Sequence, residues 1–150
     1  MRKSTLLSFL LFVLLLPLTG CFTPVKNEIP LVRGNVHLIP TNTNDTKLVI
    51  YNTANPVLYG ADGSSRMNVK LNGKGLGRLN FGQYAVVVIP KGKCQIDMQH
   101  LDLVKFSSQR WLDLNAPESF VEIYPTPTSN EAKLVPALPP DFERKYEAIP

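Results

Sequence analysis

The sequence predicts an all-β body, a small antiparallel β-sandwich or a barrel-like domain, and three observations carry that expectation. Met67, Val69 and Leu71 alternate with Asn68 and Lys70, the period of a strand with one wet face. Tyr84-Ala85-Val86-Val87-Val88-Ile89 is apolar on successive residues, as in a strand covered on both faces. Asn72-Gly73-Lys74-Gly75 and Pro90-Lys91-Gly92 supply residues that tolerate positive φ or preset a turn, while no long stretch carries a helical period.

In chain order, Asn35–Ile39 and Lys47–Tyr51 are short runs rich in β-branched and aromatic residues and read as a first strand pair around the polar loop 40–46. The Asn44-Asp45-Thr46 triplet inside that loop reads as loop chemistry only. Residues 55–65 form a long irregular connection whose apolar segment is Val57-Leu58-Tyr59. Met67–Leu71, Leu76–Leu79 and Tyr84–Ile89 then read as a three-stranded meander, and Lys93–Met98 continues it with Cys94, Ile96 and Met98 on one face. Leu101–Phe106 and Trp111–Leu114 give two further short strands, and Phe120–Tyr124 and Lys133–Val135 two more. Residues 136–150 form a proline-rich tail with room for a short helix from Asp141 to Glu147, Asp141 standing at its amino end. Tails of this composition are expected to be loose.

The start of the chain has a different character. Met1–Thr5 is short and cationic, and Leu6–Leu16 is an apolar run interrupted only by Ser8. Such a run is too short to span roughly 30 Å of hydrocarbon, which takes about 20 apolar residues, and has the length of a secretory core. Leu18-Thr19-Gly20-Cys21 resembles the lipobox of bacterial lipoproteins. The resemblance implies cleavage before Cys21, lipid chains on its sulfur and freed amine, and a protein attached to a membrane at its first mature residue. In that family Asp after the cysteine favours inner-membrane retention; Phe22 here implies the outer membrane, with the domain facing the periplasm. Four segments follow: a signal peptide at 1–20, a lipidated anchor and linker at 21–34, a β-domain at 35–135 and the tail at 136–150. Phe22–Leu31 reads as an extended spacer that reaches at most about 35 Å.

A leader also changes the charge and the redox reading. Removing Arg2 and Lys3 from the 16 lysines and arginines leaves 14 against 12 Asp and Glu, a charge of about +2. That balance lacks the basic footprint of a nucleic-acid partner. Lipidation of Cys21 would leave Cys94 as a lone thiol, read as a small hydrophobe pointing into the core.

Within the body, Val69-x-Leu71-Asn72-Gly73-Lys74, Leu76-Gly77-x-Leu79, Gly82-x-Tyr84 and Ile89-Pro90-x-Gly92-Lys93 resemble a family of small bacterial lipoprotein β-domains of unknown function, PEGA-like in style. The resemblance is good over residues 67–98 and looser from Lys47 to Tyr124. It implies a fold and is nearly silent on activity.

Catalytic signatures are missing from the sequence. His37 and His100 lack zinc-ligand spacing, and His100, with Asp97 and Asp102 nearby, reads as a surface histidine. No nucleophile elbow, phosphate loop, dinucleotide fingerprint or cofactor motif occurs. The expectation is therefore a non-enzymatic protein without metal or cofactor, an accessory or scaffold domain contacting other envelope proteins. Two groups are candidate sites. Lys74, Lys91 and Lys93 would share one end of a meander and form a basic rim for lipid headgroups or an acidic partner. Tyr59, Trp111 and Tyr124 would form a stacking platform for a glycan, a peptidoglycan fragment or another small ligand. For both groups solubility or core packing is the plainer reading.

Overall fold

A computed structural model describes residues 23–32, 36–37, 39–55, 57, 65–101 and 105–150. The leader, Cys21 and Tyr59 lie outside the described residues. The strands are β1 (Asp45–Asn52), β2 (Met67–Leu71), β3 (Lys74–Leu79), β4 (Gln83–Pro90), β5 (Gly92–Leu101), β6 (Lys105–Leu114), β7 (Glu118–Thr126), β8 (Ser129–Val135) and β9 (Glu147–Ala148). One short helix, α1 (Phe142–Lys145), precedes β9.

The strands form two sheets packed face to face, so the body is an all-β sandwich. One sheet runs β8-β7-β1-β4-β9 and the other β3-β2-β5-β6. The four-stranded sheet is antiparallel throughout. The five-stranded sheet is mixed, with β1 parallel to β7 and β4 parallel to β9. Leu48, Ile50, Ala85, Val87, Val121 and Ile123 meet Val69, Leu71, Ile96 and Met98 in the core between the sheets.

The meander is the main correction. β2 and β3 do form the expected hairpin, turning through Asn72 at φ 49° and Gly73 at φ 80°. The chain then leaves that sheet, and β4 joins the other between β1 and β9. Two-sided burial explains the switch. The outer face of the four-stranded sheet is polar and wet, and a strand as apolar as β4 would leave Tyr84 and Val86 in water there. In the five-stranded sheet its inner face meets the core, while Tyr84 and Val86 enter a second apolar cluster with Val36, Val49, Tyr51 and Phe142.

That second cluster gives the tail its place. The Phe142 ring meets Tyr51 edge-on at 5.3 Å, Tyr84 at 5.0 Å and Tyr146 at 4.8 Å. The Glu147 and Ile149 amides donate to the Gly82 and Tyr84 carbonyls at 2.8 and 2.9 Å. The tail, expected to be loose, thus covers the outer face of the five-stranded sheet. Asp141 holds the N-cap position of α1, but at φ 60° its side chain makes no capping bond and accepts from Arg144 at 2.8 Å.

The first expected strand is corrected at its described residues, Asn35 and Leu38 lying outside them. Val36 and His37 form a turn, and the buried Val36 carbonyl accepts from the Lys47 ammonium, which also donates to Glu118 Oε1 at 2.6 Å. Lys47 is 2 % exposed in the middle of the sheet, where a charge is tolerable only with such partners. Of the two strands expected at Leu101–Phe106 and Trp111–Leu114, residues 102–104 lie outside the described residues, Leu101 ends β5, and Lys105–Phe106 and Trp111–Leu114 belong to one strand, β6, which runs ten residues unbroken beside β5. Its polar centre hid that continuity: Ser108 Oγ donates to the Asn130 carbonyl at 3.2 Å and Arg110 Nη2 to Glu131 Oε1 at 2.6 Å, bracing the β6 edge against β8.

The spacer is a strap. Val25 N and Asn68 Nδ2 engage Asn68 Oδ1 and the Thr23 carbonyl at 3.4 and 3.0 Å respectively, Glu28 N donates to the Gly75 carbonyl at 2.7 Å, and Val32 N to the Val86 carbonyl at 2.8 Å. Ile29 is buried in the core. A Cβ placed on Gly75 would sit 2.0 Å from the Lys26 carbonyl oxygen, so only glycine lets the strap lie this close.

Gly75→Ala is accordingly expected to cost about 1–3 kcal/mol, read by urea unfolding, and to open residues 23–32 to limited proteolysis. Phe142→Ala should cost about 3 kcal/mol, since it empties the aromatic cluster, with the loss seen in the same titration.

Candidate functional site

The most developed polar surface is the outer face of the four-stranded sheet. Alternation decides its composition. Cys94, Ile96, Met98 and Leu112 turn inward, leaving Lys93, Gln95, Asp97 and Gln99 of β5 and Ser107, Gln109, Trp111 and Asp113 of β6 on the other side. The β5–β6 register sets Lys93 opposite Asp113, Gln95 opposite Trp111, Asp97 opposite Gln109 and Gln99 opposite Ser107. Lys70 of β2 stands opposite Asp97.

These side chains bond in a row. The Gln95 amide donates to both Asp97 oxygens at 2.9 and 3.0 Å, Gln109 donates to Asp97 Oδ1 at 3.0 Å, and Gln99 to Ser107 Oγ at 3.1 Å. Trp111, 60 % exposed, lies at the end of the row. The strap walls the opposite side and closes a cleft of about 780 Å³ whose lining includes Thr23, Lys26, Lys70, Asp97 and Gln109. Asn68, 2 % exposed, bonds the strap from the cleft floor.

The two groups singled out in the sequence fare differently. Lys74 and Lys93 do lie at one end of the four-stranded sheet, because Asn72 N donates to the Gln95 carbonyl and Gln95 N to Asn72 Oδ1, both at 2.9 Å. Lys91 follows β4, and its ammonium donates to the Thr43 carbonyl at 2.6 Å. The grouping arises from the hairpin bonding to β5 rather than from a meander; Lys91 is engaged by the Thr43 carbonyl, and Lys93 stands opposite Asp113 in the β5–β6 register. The aromatic platform does not assemble from Trp111 and Tyr124: Tyr124 alternates with core-facing Val121 and Ile123 on β7, which puts it on the outer face of the other sheet. Tyr59 is outside the described residues.

His100 is not a surface residue. It is 2 % exposed, its Nδ1 meets Asn130 Oδ1, and its ring stacks on Phe106 at 5.0 Å. Asp97 is on the other face of β5, so the two do not converge. His37 is exposed and lies 3.2 Å from Glu143. Among the described residues no three His, Cys, Asp or Glu side chains group as metal ligands, and no helix is long and apolar enough to cross a membrane.

Cys94 faces the core as expected, and burial pushes its thiol from an ordinary value near 9 up to about 11. Burial, with the Glu122 carboxylate and Tyr146 adding to it, likewise pushes Tyr51 up to about 12. The amide row was missed by sequence reasoning, although the alternation of β5 and β6 contained it; splitting β6 in two removed the register that pairs Asp97 with Gln109. No protein-family model, no curated protein and no solved structure matches the chain.

The raised thiol pKa has a definite sign. The unfolded thiol ionises near pH 9 and the folded one near pH 11, so stability should fall as pH rises across that window. Unfolding free energies measured from pH 8 to 11 should show the decline, and Cys94→Ala should remove most of it between pH 9 and 10, the part above pH 10 being shared with the raised Tyr51. The native thiol should resist alkylation at pH 8 and react once urea unfolds the chain.

Proposed function

We propose that the chain is a non-enzymatic lipoprotein, anchored to the outer membrane through lipid on Cys21, whose sandwich serves as an accessory or scaffold domain for other envelope proteins on the periplasmic side. The observation that carries this reading is the strap. Leu18-Thr19-Gly20-Cys21 resembles a lipobox, and from Thr23, two residues after Cys21, the chain is bonded to Asn68 and then to Gly75. Two residues reach about 7 Å, so lipid on Cys21 would hold the strap and the cleft beside it close to the bilayer surface. A body held at fixed height presents the same surfaces to every neighbour in the membrane, which suits a scaffold.

A photo-crosslinker carried in cells at Lys74 should recover a reproducible set of protein neighbours other than a second copy of the chain; recovery of none would overturn the scaffold reading. Cys21→Ser should release the protein from membranes while leaving its unfolding midpoint unchanged. A membrane-bound Cys21→Ser chain would contradict the anchor.

A second reading is favoured by Trp111 alone. A 60 % exposed indole beside the Gln95–Asp97–Gln109 row combines a stacking surface with fixed amide donors and acceptors, the chemistry of glycan recognition. Under that reading the native protein sediments with purified cell wall and Trp111→Ala does not.

A further inference from the structure

We propose that the chain forms a homodimer by antiparallel pairing of β6 with β6 of a second copy, in a register centred on Gln109. The starting point is the edges of the two sheets. β3 is covered by the strap, through the Glu28 amide on the Gly75 carbonyl. β9 has two residues and β8 has seven. β6 ends its sheet with ten residues, and among the described residues no strand pairs with its outer edge. An edge of this length is a template for another strand unless it is blocked. No proline, glycine or recorded bulge interrupts it, and the Gln109 carbonyl on that edge, which accepts from Arg110 Nη1 at 3.0 Å, would exchange this side-chain donor for the partner's amide.

The occupant is argued from the strand's own charges. In an antiparallel self-pair, residues equidistant from the centre face each other on the same side of the sheet. Centring on Gln109 places Lys105 opposite the partner's Asp113 and Asp113 opposite the partner's Lys105, two ion pairs from one strand. It places the small Ser107 beneath the partner's exposed Trp111, again twice. On the inner side it sets Phe106 against the partner's Leu112, both only partly buried in the monomer. Adjacent registers lose this. Centring on Arg110 puts the two guanidiniums opposite one another and Ser107 opposite Asp113. Centring on Ser108 leaves Lys105 facing Trp111 and forms no ion pair. Cross-strand pairs of opposite charge stabilise and like charges facing each other destabilise, so the strand specifies its own register.

The symmetry agrees with tethering at a surface. The two-fold axis of such a pair is normal to the sheet, so the four-stranded sheets join into one continuous sheet whose outer faces point the same way. Both straps lie on that face through Asn68, and both Thr23 residues therefore approach one plane from one side. Two copies anchored in one membrane can pair this way without either turning over, and confinement to the surface raises their effective concentration.

The test uses the full chain in non-ionic detergent and in membranes. Sedimentation should give a dimer, and Gln109→Cys, whose residue faces its own copy across the axis, should form a disulfide-linked dimer on mild oxidation. Gln95→Cys, one strand away, should remain unlinked. Lys105→Asp and Asp113→Lys should each weaken the dimer by about tenfold in dissociation constant, and the two together should restore it. Because Asp113 also faces Lys93, thermal unfolding of each variant separates lost folding from lost pairing; Gln109→Cys, at an exposed position, keeps the test valid if a charge variant fails to fold. A chain that sediments as a monomer at every concentration, or a dimer that leaves Gln109→Cys unlinked, overturns the proposal.

Discussion

Gly75 and the backbone of Lys26 lie closer than any side chain would allow, and the arrangement of the protein relative to its amino terminus depends on that contact. A Cβ at Gly75 would stand 2.0 Å from the Lys26 carbonyl oxygen. With none there, the Glu28 amide reaches the Gly75 carbonyl, the Gly75 amide reaches the Glu28 carboxylate at 2.6 Å, and Ile29 drops into the core. These bonds and the buried isoleucine act against the entropy of ordering a segment whose composition alone would leave it extended and free. The strap in turn covers the β3 edge and supplies one wall of the polar cleft.

A second constraint sorts the strands between the sheets. β1 and β4 are buried on both faces and occupy the middle of the five-stranded sheet, where the inter-sheet core lies on one side and α1 with its aromatic cluster on the other. β5 is apolar on one face only, β6 carries polar Ser108 and Arg110 even on its inner face, and both stay in the sheet whose outer side is wet. The parallel pairing of β1 with β7 follows from this sorting, because the chain visits the other sheet through β5 and β6 before returning beside β1. Lys47 is the exception within β1, and its buried ammonium is held by Glu118 and the Val36 carbonyl.

The sandwich class and most strand positions were legible, because alternation and two-sided apolar runs are local signals. The sheet assignment of β4 was not, since a hairpin-spaced neighbour such as β3 is the default partner and nothing local states that the outer face of β2 and β5 will be wet. The strap was illegible for a related reason: Gly75 reads as a turn residue, and the close approach it permits involves residues nearly fifty positions away. The tail was misread because Phe142 and Tyr146 sit among prolines and charges, where composition suggests a loose end, while Tyr51 and Tyr84 supply the aromatic surface that fixes them. Of the candidate sites, Trp111 was legible as a strand aromatic, but core packing was its plainer reading and its exposure came only with the structure. Its setting, the Gln95–Asp97–Gln109 row, needed the β5–β6 register.

Whether residues 23–32 are bonded to the body or form a free spacer is the point on which this account turns. Amide hydrogen exchange at Glu28 and Val32, measured on the full chain in bilayers, tests it directly. If the strap is bonded as described, both amides exchange at least about a hundredfold more slowly than an unstructured amide. Exchange at the unstructured rate at both positions would contradict the account.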